Sequence, residues 1–336
     1  MKDIAEKLDI SINAVSLALN DRAGVSDETR ALIIKTASEL CYFDENPTFA
    51  FITKNICLLI ESRYFKDIYF YSKVILGIES EAKKNNYDII VNFMEKTDFK
   101  IPSCIENRKV SGILIIGTIK DEYLKEINSY NIPVVLVDHA SHIISTDAIL
   151  TQNMPGAYIA TQHLIDKGHK DIGFFGSIDY SLSFKERWLG FYECMRRSRL
   201  YSGLLMDVLS EYSITGRIEK LIDEKDYSAI KGLFISLKRA PTAWVCANDA
   251  AAISLYYTLS GIGMKMPDDF SIVGFDDIDL CNIITPHLTT IRVNKELMGQ
   301  KAVKRLIWRM ENKGEPFEQI RMEVSLVERG SVRNIT

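Results

Sequence analysis

Residues 3–20 read DIAEKLDISINAVSLALN, and this stretch predicts two short helices with a tight break between them. The first helix, residues 2–8, gathers its apolar side chains on one face by helical spacing. A two-residue break follows, and Ser11 is a good N-cap for the second helix, residues 12–19.

A third helix is predicted after a loop of turn-forming residues at 20–24. Ser26 caps this helix, and Asp27 and Glu28 stand in its first turn, where acidic side chains favour the positive end of the helix dipole. Three short helices with a tight break between the first two follow the helix-turn-helix plan, whose second helix enters the major groove of DNA. Other small three-helix units share this pattern, so the pattern alone leaves both interpretations open.

The charge of the chain gives no support to DNA binding. The 336 residues carry a formal net charge of −4, and the first 46 residues hold five basic and nine acidic side chains. Attraction to the phosphate backbone should therefore be weak. The prediction of DNA binding rests on a motif.

The stretches DIAEKLDISINAVSLALN, GVSDETR and LCYFDENP resemble, in order and spacing, the DNA-binding domain of the lactose-repressor/galactose-repressor family. The resemblance implies a DNA-binding domain over residues 1–46. The implied DNA-binding residues are Ser11, Ile12, Asn13, Ser16, Leu17, Asn20, Ser26, Thr29 and Tyr42. Asn13 could pair with adenine, and Leu17, which stands where many members have a base-reading Arg, could touch a thymine methyl, as could Ile12.

The following segment, residues 47–54, departs from the family. Members usually continue into a hinge helix whose Leu wedges into the minor groove and kinks the DNA. Here the hinge is short and atypical and has no Leu. Phe49 or Phe51 could serve as the wedge, or both could pack on the remaining chain or on a partner.

Residues 55–336 alternate between strand-like and helical runs with short connections. The strand-like runs are 56–60, 87–93, 112–116, 133–137, 171–175, 242–246 and 271–275, and the helical runs are 71–84, 155–167, 184–199, 249–260 and 295–311. Near-continuous apolar strands between amphipathic helices predict parallel sheets that are covered on both faces. The strands are too many for one sheet, so we predict an α/β fold with two doubly wound lobes.

Ligands of such sheets bind beyond the carboxyl ends of the strands. Asn248 and Asp249 follow one predicted strand, and Asp276 follows another. These positions predict polar contacts to a ligand, although Asp249 could instead be the N-cap of the next helix.

The family resemblance extends over nearly the whole chain. The stretches GAYIATQHLIDKGHKDIGFFG, ERWLGFYECM, PTAWVCANDAAA and PDDFSIVGFDDIDLCNIITPHLTTIRVNKELMGQKAV resemble the family's periplasmic-binding-protein-like sensor. The resemblance implies a homodimer whose sensor has one lobe at about 55–150 and 293–315 and the other at about 151–292 and 316–336. It assigns effector binding to Phe70, Tyr71, Arg187, Asp249 and Asp276. Gln152-Asn153 replaces the usual Asp-Asn, so one acidic ligand is missing.

The predicted function is a DNA-binding repressor whose operator affinity is controlled by an effector bound between the lobes. Arg187 offers a planar fork of donors and the two aspartates offer acceptors, which suit the hydroxyls of a sugar. Phe70 or Tyr71 could supply an apolar wall. A nucleobase or nucleoside would use similar groups and is the alternative effector.

Other functions are disfavoured by missing signals. The chain carries no dinucleotide loop, phosphate loop or hydrolase motif, so an enzyme is not expected and neither is a cofactor. His139 and His142 have no third ligand nearby in sequence, so no metal site is expected. No secretory signal or membrane span is evident, which predicts a cytoplasmic protein and disfavours a sugar-binding protein without a DNA role. The six scattered cysteines indicate free thiols.

Overall fold

The N-terminal residues form a three-helix unit in the computed structural model, which describes residues 1–19, 22, 24–40, 42, 53–95, 99–200, 207, 211 and 213–336. The helices are α1 (Lys2–Leu8), α2 (Ile12–Leu19) and α3 (Asp27–Glu39). Asp9 ends α1 in the left-handed conformation, with φ 53°. Ser11 caps α2, since its Oγ accepts the backbone N–H of Ala14 at 3.1 Å. The predicted tight break and its N-cap are confirmed.

The three helices share one small apolar core. Ile4, Val15 and Ile33, one from each helix, are fully buried. Burying a side chain of this size stabilises a fold by about 1.5–3 kcal/mol. This packing fixes which face of α2 points inward.

The remaining chain alternates between strands and helices, as its periodicity predicts. The strands are β1 (Asn55–Glu61), β2 (Asp88–Met94), β3 (Gly112–Ile116), β4 (Val134–Val137), β5 (Asp147–Thr151), β6 (Ile172–Phe175), β7 (Ser213–Ile214), β8 (Ala243–Cys246), β9 (Ser271–Asp276), β10 (Thr289–Arg292), β11 (Gln319–Met322) and β12 (Ser325–Val327). The helices are α4 (Ser62–Lys66), α5 (Tyr71–Lys84), α6 (Ser103–Glu106), α7 (Asp121–Asn128), α8 (Asn153–Asp166), α9 (Leu182–Arg197), α10 (Ile218–Asp223), α11 (Tyr227–Ile235), α12 (Asp249–Ser260) and α13 (Lys295–Glu311). A 3₁₀ turn covers Asp279–Asn282.

The strands form two six-stranded sheets. The first has the order β11-β5-β4-β3-β1-β2 and the second the order β12-β10-β9-β8-β6-β7. In the first sheet β1 runs parallel to both β2 and β3, with Leu58 opposite Val91 and Leu114. In the second sheet β10 runs parallel to β9, while β12 is antiparallel to β10. Two parallel-dominated α/β sheets behind three N-terminal helices confirm the predicted fold class.

The chain divides into two compact units. One comprises Met1–Ile149 and Glu296–Ile320, and the other comprises Leu150–Lys295 and Arg321–Thr336. The chain passes from one unit to the other at three places. Within the part of the chain that the structure describes, no helix has both the length and the apolarity needed to span a membrane.

Several strands were not apparent from the apolar runs. β7 has only two residues, and β11 and β12 are half-exposed strands without a continuous apolar run. β5 begins at Asp147, a fully buried carboxylate that interrupts the apolar pattern. An apolar-run criterion finds strands with a continuous run of apolar residues and misses strands that are very short, half-exposed or interrupted by a buried charge.

Candidate DNA-binding and effector-binding sites

The outward face of α2 carries the residues predicted to read DNA bases. Ser11, Ile12 and Asn13 are exposed, and Ser16 and Leu17 are half-buried. Ile12 keeps 51% of its surface exposed. An exposed Ile at the start of a helix has no packing role in this unit, so this face is available to a partner.

The other predicted DNA-binding residues lie around α3. Ser26 Oγ accepts the backbone N–H of Thr29 at 3.2 Å and lies 2.8 Å from Thr29 Oγ1, which caps α3. Tyr42 is half-buried, and burial raises the pKa of its phenol. Asn20 lies outside the described residues, as do Phe49 and Phe51.

Arg30 is a functional candidate that the sequence patterns did not identify. Its Nη1 donates to the backbone carbonyl of Ala18 at 3.0 Å and its Nη2 to that of Arg22 at 2.7 Å. The Arg30 guanidinium therefore satisfies the carbonyl of Ala18 in the last turn of α2, where helices leave carbonyls without partners, and that of Arg22 in the segment after the helix. Arg30 thereby fixes the end of the predicted recognition helix.

In the second unit, Arg187 is the centre of a buried polar cluster. Its guanidinium donates from Nε to Asn153 Oδ1 at 3.0 Å, from Nη1 to the carbonyl of Ala247 at 2.6 Å and from Nη2 to Asp276 Oδ1 at 3.0 Å. It also lies 3.8 Å from the centroid of the Phe275 ring. The structure thus brings Arg187 and Asp276 together at the carboxyl ends of β8 and β9.

Asp276 is held in an unusual backbone conformation. Its φ is 111° and that of Asp277 is 54°, both in the region that L side chains rarely adopt. The buried ammonium of Lys295 donates to the carbonyls of both residues and, at 3.4 Å, to that of Val293. Strained backbone that a buried cation holds in place is typical of functional sites.

Asp249 has a different environment from Asp276. It is fully buried, and its oxygens accept from Thr290 Oγ1 at 2.5 Å and from the backbone N–H of Ile278 at 2.9 Å. A Cβ at Gly274 would lie 2.1 Å from its carboxylate, so the glycine makes room for it. Burial raises the pKa of Asp249 to about 6. This carboxylate therefore accepts hydrogen bonds within the interior of the second unit.

Asn248 caps the helix that follows β8. Its Oδ1 accepts the backbone N–H of Ala251 at 2.8 Å, so the N-cap of α12 is Asn248 and not Asp249. The helix begins at Asp249, within the range that the sequence predicts.

Asn153, which the sequence marks only as part of the pair that replaces Asp-Asn, is the second candidate, because its contact with Arg187 was not predicted. Its Oδ1 accepts from Arg187, while its Nδ2 donates to Glu186 Oε2 at 3.1 Å. Glu186 in turn pairs with Arg321 at 2.8 Å. Because a neutral amide stands here in α8, it orients the guanidinium without neutralising it.

The predicted aromatic pair lies in the first unit. Phe70 and Tyr71 are both buried and their ring centroids are 4.8 Å apart. The ring of Tyr64 adds a further edge contact to Tyr71 at 5.1 Å. The Tyr71 hydroxyl donates to Asp138 Oδ2 at 2.8 Å, beyond the end of β4. Burial raises the pKa of Tyr71, so the phenol stays protonated.

No cluster of three or more His, Cys, Asp or Glu side chains able to hold a metal occurs among the residues described. His139 is half-buried in the first unit, and burial lowers its pKa. A neutral imidazole that is buried in this way fits a packing role.

Comparisons with known proteins agree with this architecture. A model of the periplasmic binding protein-like domain family matches residues 161–332, just over half of the chain. The HTH-type transcriptional repressor PurR of Mannheimia succiniciproducens is 26% identical over 343 residues, which cover 100% of this chain and 99% of the relative.

Two solved structures show the same fold. The lac repressor dimer bound to operator and the anti-inducer ONPF matches with a TM-score of 0.66 and 22% identity, over 98% of both chains. A LacI family transcriptional regulator from Enterococcus faecium with bound ribose matches with a TM-score of 0.69 and 23% identity, over 84% of this chain and 100% of that one.

The relatives are transcriptional repressors and not enzymes, in agreement with the prediction made from the missing catalytic motifs. Both the family model and the full-length relatives match the resemblance that the sequence motifs carry. The chain belongs to the periplasmic binding protein-like family and, within it, to the lactose-repressor/galactose-repressor family of transcriptional regulators.

Proposed function

We propose that the chain is a repressor that binds operator DNA through residues 1–46 and responds to a small effector through residues 55–336, with 47–54 as the hinge. The observation that carries the effector half is the buried pair of Arg187 and Asp276, 3.0 Å apart on a strained backbone. A charged donor fork beside a charged acceptor can hold the polar edge of a ligand that offers both kinds of group. Asp249 is not assigned to the ligand, since its oxygens already accept from Thr290 and Ile278.

A nucleobase is the effector class that we favour. A purine edge places a carbonyl oxygen or ring nitrogen next to an N–H group, which matches a guanidinium beside a carboxylate. The name PurR, which the full-length relative carries, points to the same class.

A sugar is the second candidate. Its hydroxyls both donate and accept, so the same Arg187 and Asp276 could bind two neighbouring hydroxyls. One structural neighbour of this chain holds ribose. The two candidates differ in what the pair must recognise, because a nucleobase presents fixed donors and acceptors and a hydroxyl rotates to suit its partner.

We also propose that the repressor is a homodimer. β2 is an edge strand of the first sheet, and its Val91 and Phe93 are 43% and 54% exposed. Phe65 packs on Phe93, with ring centroids 4.9 Å apart, and is itself 50% exposed. An exposed apolar edge of this kind is suited to a second copy of the chain.

Replacing Phe93 by Ser should shift the full-length chain toward monomer in sedimentation velocity, with Tyr227→Ser as an exposed aromatic control.

The effector is tested by titration with the full-length chain. Hypoxanthine, guanine, ribose and glucose are added one at a time while thermal unfolding is followed, because a ligand that binds only the folded state raises the unfolding midpoint. We expect a nucleobase to raise it and the sugars to leave it unchanged. A response to ribose or glucose alone would select the second candidate.

The DNA half is tested by selection from random duplexes at low salt. We expect an enriched near-palindrome that a chain beginning at residue 53 fails to recover. Recovery of no enriched palindrome by an intact dimer would contradict the proposal. The two tests are independent, so each half of the proposal can fail alone.

A further inference from the structure

Two thiols of the first unit lie against each other. Cys57 in β1 and Cys104 in α6 have sulfur atoms 3.7 Å apart, within S–H···S hydrogen-bond distance. Asn92 in β2 donates from Nδ2 to both sulfurs, at 3.6 Å and 3.5 Å. We call these two cysteines the dithiol pair. Neither cysteine belongs to the proposed DNA or effector site.

The two members of the pair differ in accessibility. Cys57 is a fully buried residue of β1, whereas Cys104 keeps 8% of its surface exposed. A small neutral oxidant therefore reaches Cys104 first and leaves Cys57 as the sulfur behind it. This order, an outer sulfur that is oxidised and an inner one that resolves it, is the arrangement of oxidisable dithiols.

The ionisation of the two sulfurs follows the same order. The hydrogen bond with Cys57 lowers the pKa of Cys104, and the amide of Asn92 assists while burial opposes. The hydrogen bond with Cys104 and burial raise the pKa of Cys57. The first thiol of the pair to lose its proton is therefore Cys104, and the thiolate is the form that reacts with oxidants.

We propose that Cys57 and Cys104 form an oxidisable site that a peroxide converts into a disulfide. The Cys104 thiolate attacks one oxygen of the peroxide, the O–O bond breaks, and hydroxide leaves, so that Cys104 becomes a sulfenic acid. The Cys57 sulfur then attacks the Cys104 sulfur, the S–O bond breaks, and the proton of the Cys57 thiol leaves with the hydroxyl as water. Two thiols lose two electrons and the peroxide gains them.

The geometry requires only a local movement. A disulfide needs its sulfurs at about 2.05 Å, so they must approach by less than 2 Å, roughly what a side-chain rotation covers. α6 is a single turn of four residues, and Cys104 is its second residue. Such a short element can follow the sulfur without disturbing β1.

The first test uses the full-length reduced chain. It is treated with hydrogen peroxide in small molar excess, quenched, alkylated under denaturing conditions and digested for mass spectrometry. We expect one cross-linked peptide pair, Cys57 to Cys104, which dithiothreitol separates again. Before oxidation, Cys104 should also be alkylated roughly tenfold or more faster than Cys194, because burial raises the pKa of Cys194 to about 11.

Variants assign the order of the two steps. In Cys57→Ser the reaction should stop at a sulfenic acid on Cys104 that dimedone traps, and in Cys104→Ser no dimedone adduct should form on Cys57. Cys194→Ser, a buried cysteine of α9, is the matched control and should form the same cross-link as the parent chain. Should a variant fail to fold, the parent chain still tests the proposal, because peroxide must then make Cys57 and Cys104 resistant to alkylation together. Sulfinic acid on Cys104 with Cys57 still reduced would overturn the proposal.

Discussion

The two units each bury an arginine against an aspartate, and the two pairs differ in how the carboxylate is used. In the first unit, Asp147 accepts from Arg309 Nε at 2.5 Å, from Arg305 Nε at 2.8 Å and from the backbone N–H of Glu318 at 2.9 Å. In the second, Asp276 pairs with Arg187 through Oδ1. Asp147 lies in a regular strand, whereas Asp276 has a φ of 111°.

This comparison separates a pair that holds a fold together from one that can hold a ligand. The remaining donors of Arg309 go to the carbonyls of Asn312, Glu315 and Pro316, so its guanidinium closes the turn after α13. The donors of Arg187 go to a side-chain amide, a carbonyl and Asp276, and the backbone of Asp276 is strained. Strain is retained where rearrangement serves a function. The first pair should therefore govern stability and the second the response to the effector.

The largest effect is expected from breaking the first pair. Asp147→Asn removes the charge partner of the buried Arg309 and leaves the buried Arg305 with only the exposed Glu318. We expect the free energy of unfolding of the first unit to fall by about 3–5 kcal/mol. Urea denaturation, with hydrogen exchange of β4 and β5 as the readout, measures this loss.

Glu318→Gln is the matched control for Asp147→Asn. Glu318 also pairs with Arg305, at 2.8 Å, but its side chain is 56% exposed. Exposed ion pairs contribute about 0–1 kcal/mol, so this variant should unfold nearly as the parent does. Equal losses in the two variants would mean that burial of Asp147 does not set the value of its ion pairs.

The second effect is a pH dependence that distinguishes two buried carboxylates. Burial raises the pKa of Asp249 to about 6, above its unfolded value, so the native state binds the extra proton. The contribution of Asp249 to stability is therefore present at pH 4 and is lost as the pH rises through about 6, on the order of 3 kcal/mol. Asp147 contributes to stability with the opposite pH dependence. Burial acts to raise its pKa, but the hydrogen bonds from Arg309, Glu318 and Arg305 outweigh burial and lower the pKa.

Asp249→Asn should remove this slope between pH 4 and pH 6.5 while keeping the side chain's volume. Urea midpoints at a series of pH values measure it, and Asp269→Asn, an exposed carboxylate of the same unit, is the control. An unchanged slope in Asp249→Asn would contradict the raised pKa.

The third effect concerns the effector. Asp276→Asn retains an oxygen that can accept from Arg187 and tolerates a positive φ, so the second unit should remain folded. It removes the charge, and we expect the effector affinity to fall at least tenfold, or about 1.4 kcal/mol. Isothermal titration measures the affinity, and gel shift without effector should show unchanged DNA binding. A parent-like effector affinity would place the site elsewhere.

Individual residues show how much of the fold and of the candidate site the sequence predicts. The ranges of α5, α12 and α13 follow from helical periodicity, because each buries one face and exposes the other. Arg187 and Asp276 were assigned together from the family's motifs, and the structure brings them into contact. Asp249 stands at an equally suitable position after a strand. Only the packing shows that the Asp249 carboxylate turns into the interior, where it occupies the place that a side chain at position 274 would take.

Arg30, Asn153 and Lys295 were not found, for a common reason. The hydrogen bonds of Arg30 and Lys295 given above go to backbone carbonyls, and every residue type carries these, so no motif marks them. Asn153 lies 34 residues from Arg187 in the chain, and its amide gains a role only when α8 and α9 pack together. Long-range hydrogen bonds of this kind leave no local spacing to recognise.

The smallest effect tests Arg30, an arginine that donates hydrogen bonds to backbone carbonyls. Arg30 is half-buried, and its guanidinium donates to the carbonyls of Ala18 and Arg22 at the end of α2. A hydrogen bond from a charged group to a carbonyl contributes about 1.5–3 kcal/mol when buried, and partial exposure reduces this to about 1 kcal/mol. Arg30→Met should therefore loosen α2 and lower operator affinity by about fivefold, measured by fluorescence anisotropy on a selected operator. Lys35→Met, a change of equal charge on the same helix, is the control. A loss that came only from reduced phosphate attraction would appear in both variants, and the operator affinity of both would then fall less steeply with added salt than that of the parent chain. If Arg30→Met and Lys35→Met lose the same affinity, Arg30 acts through its charge and not through the end of the recognition helix.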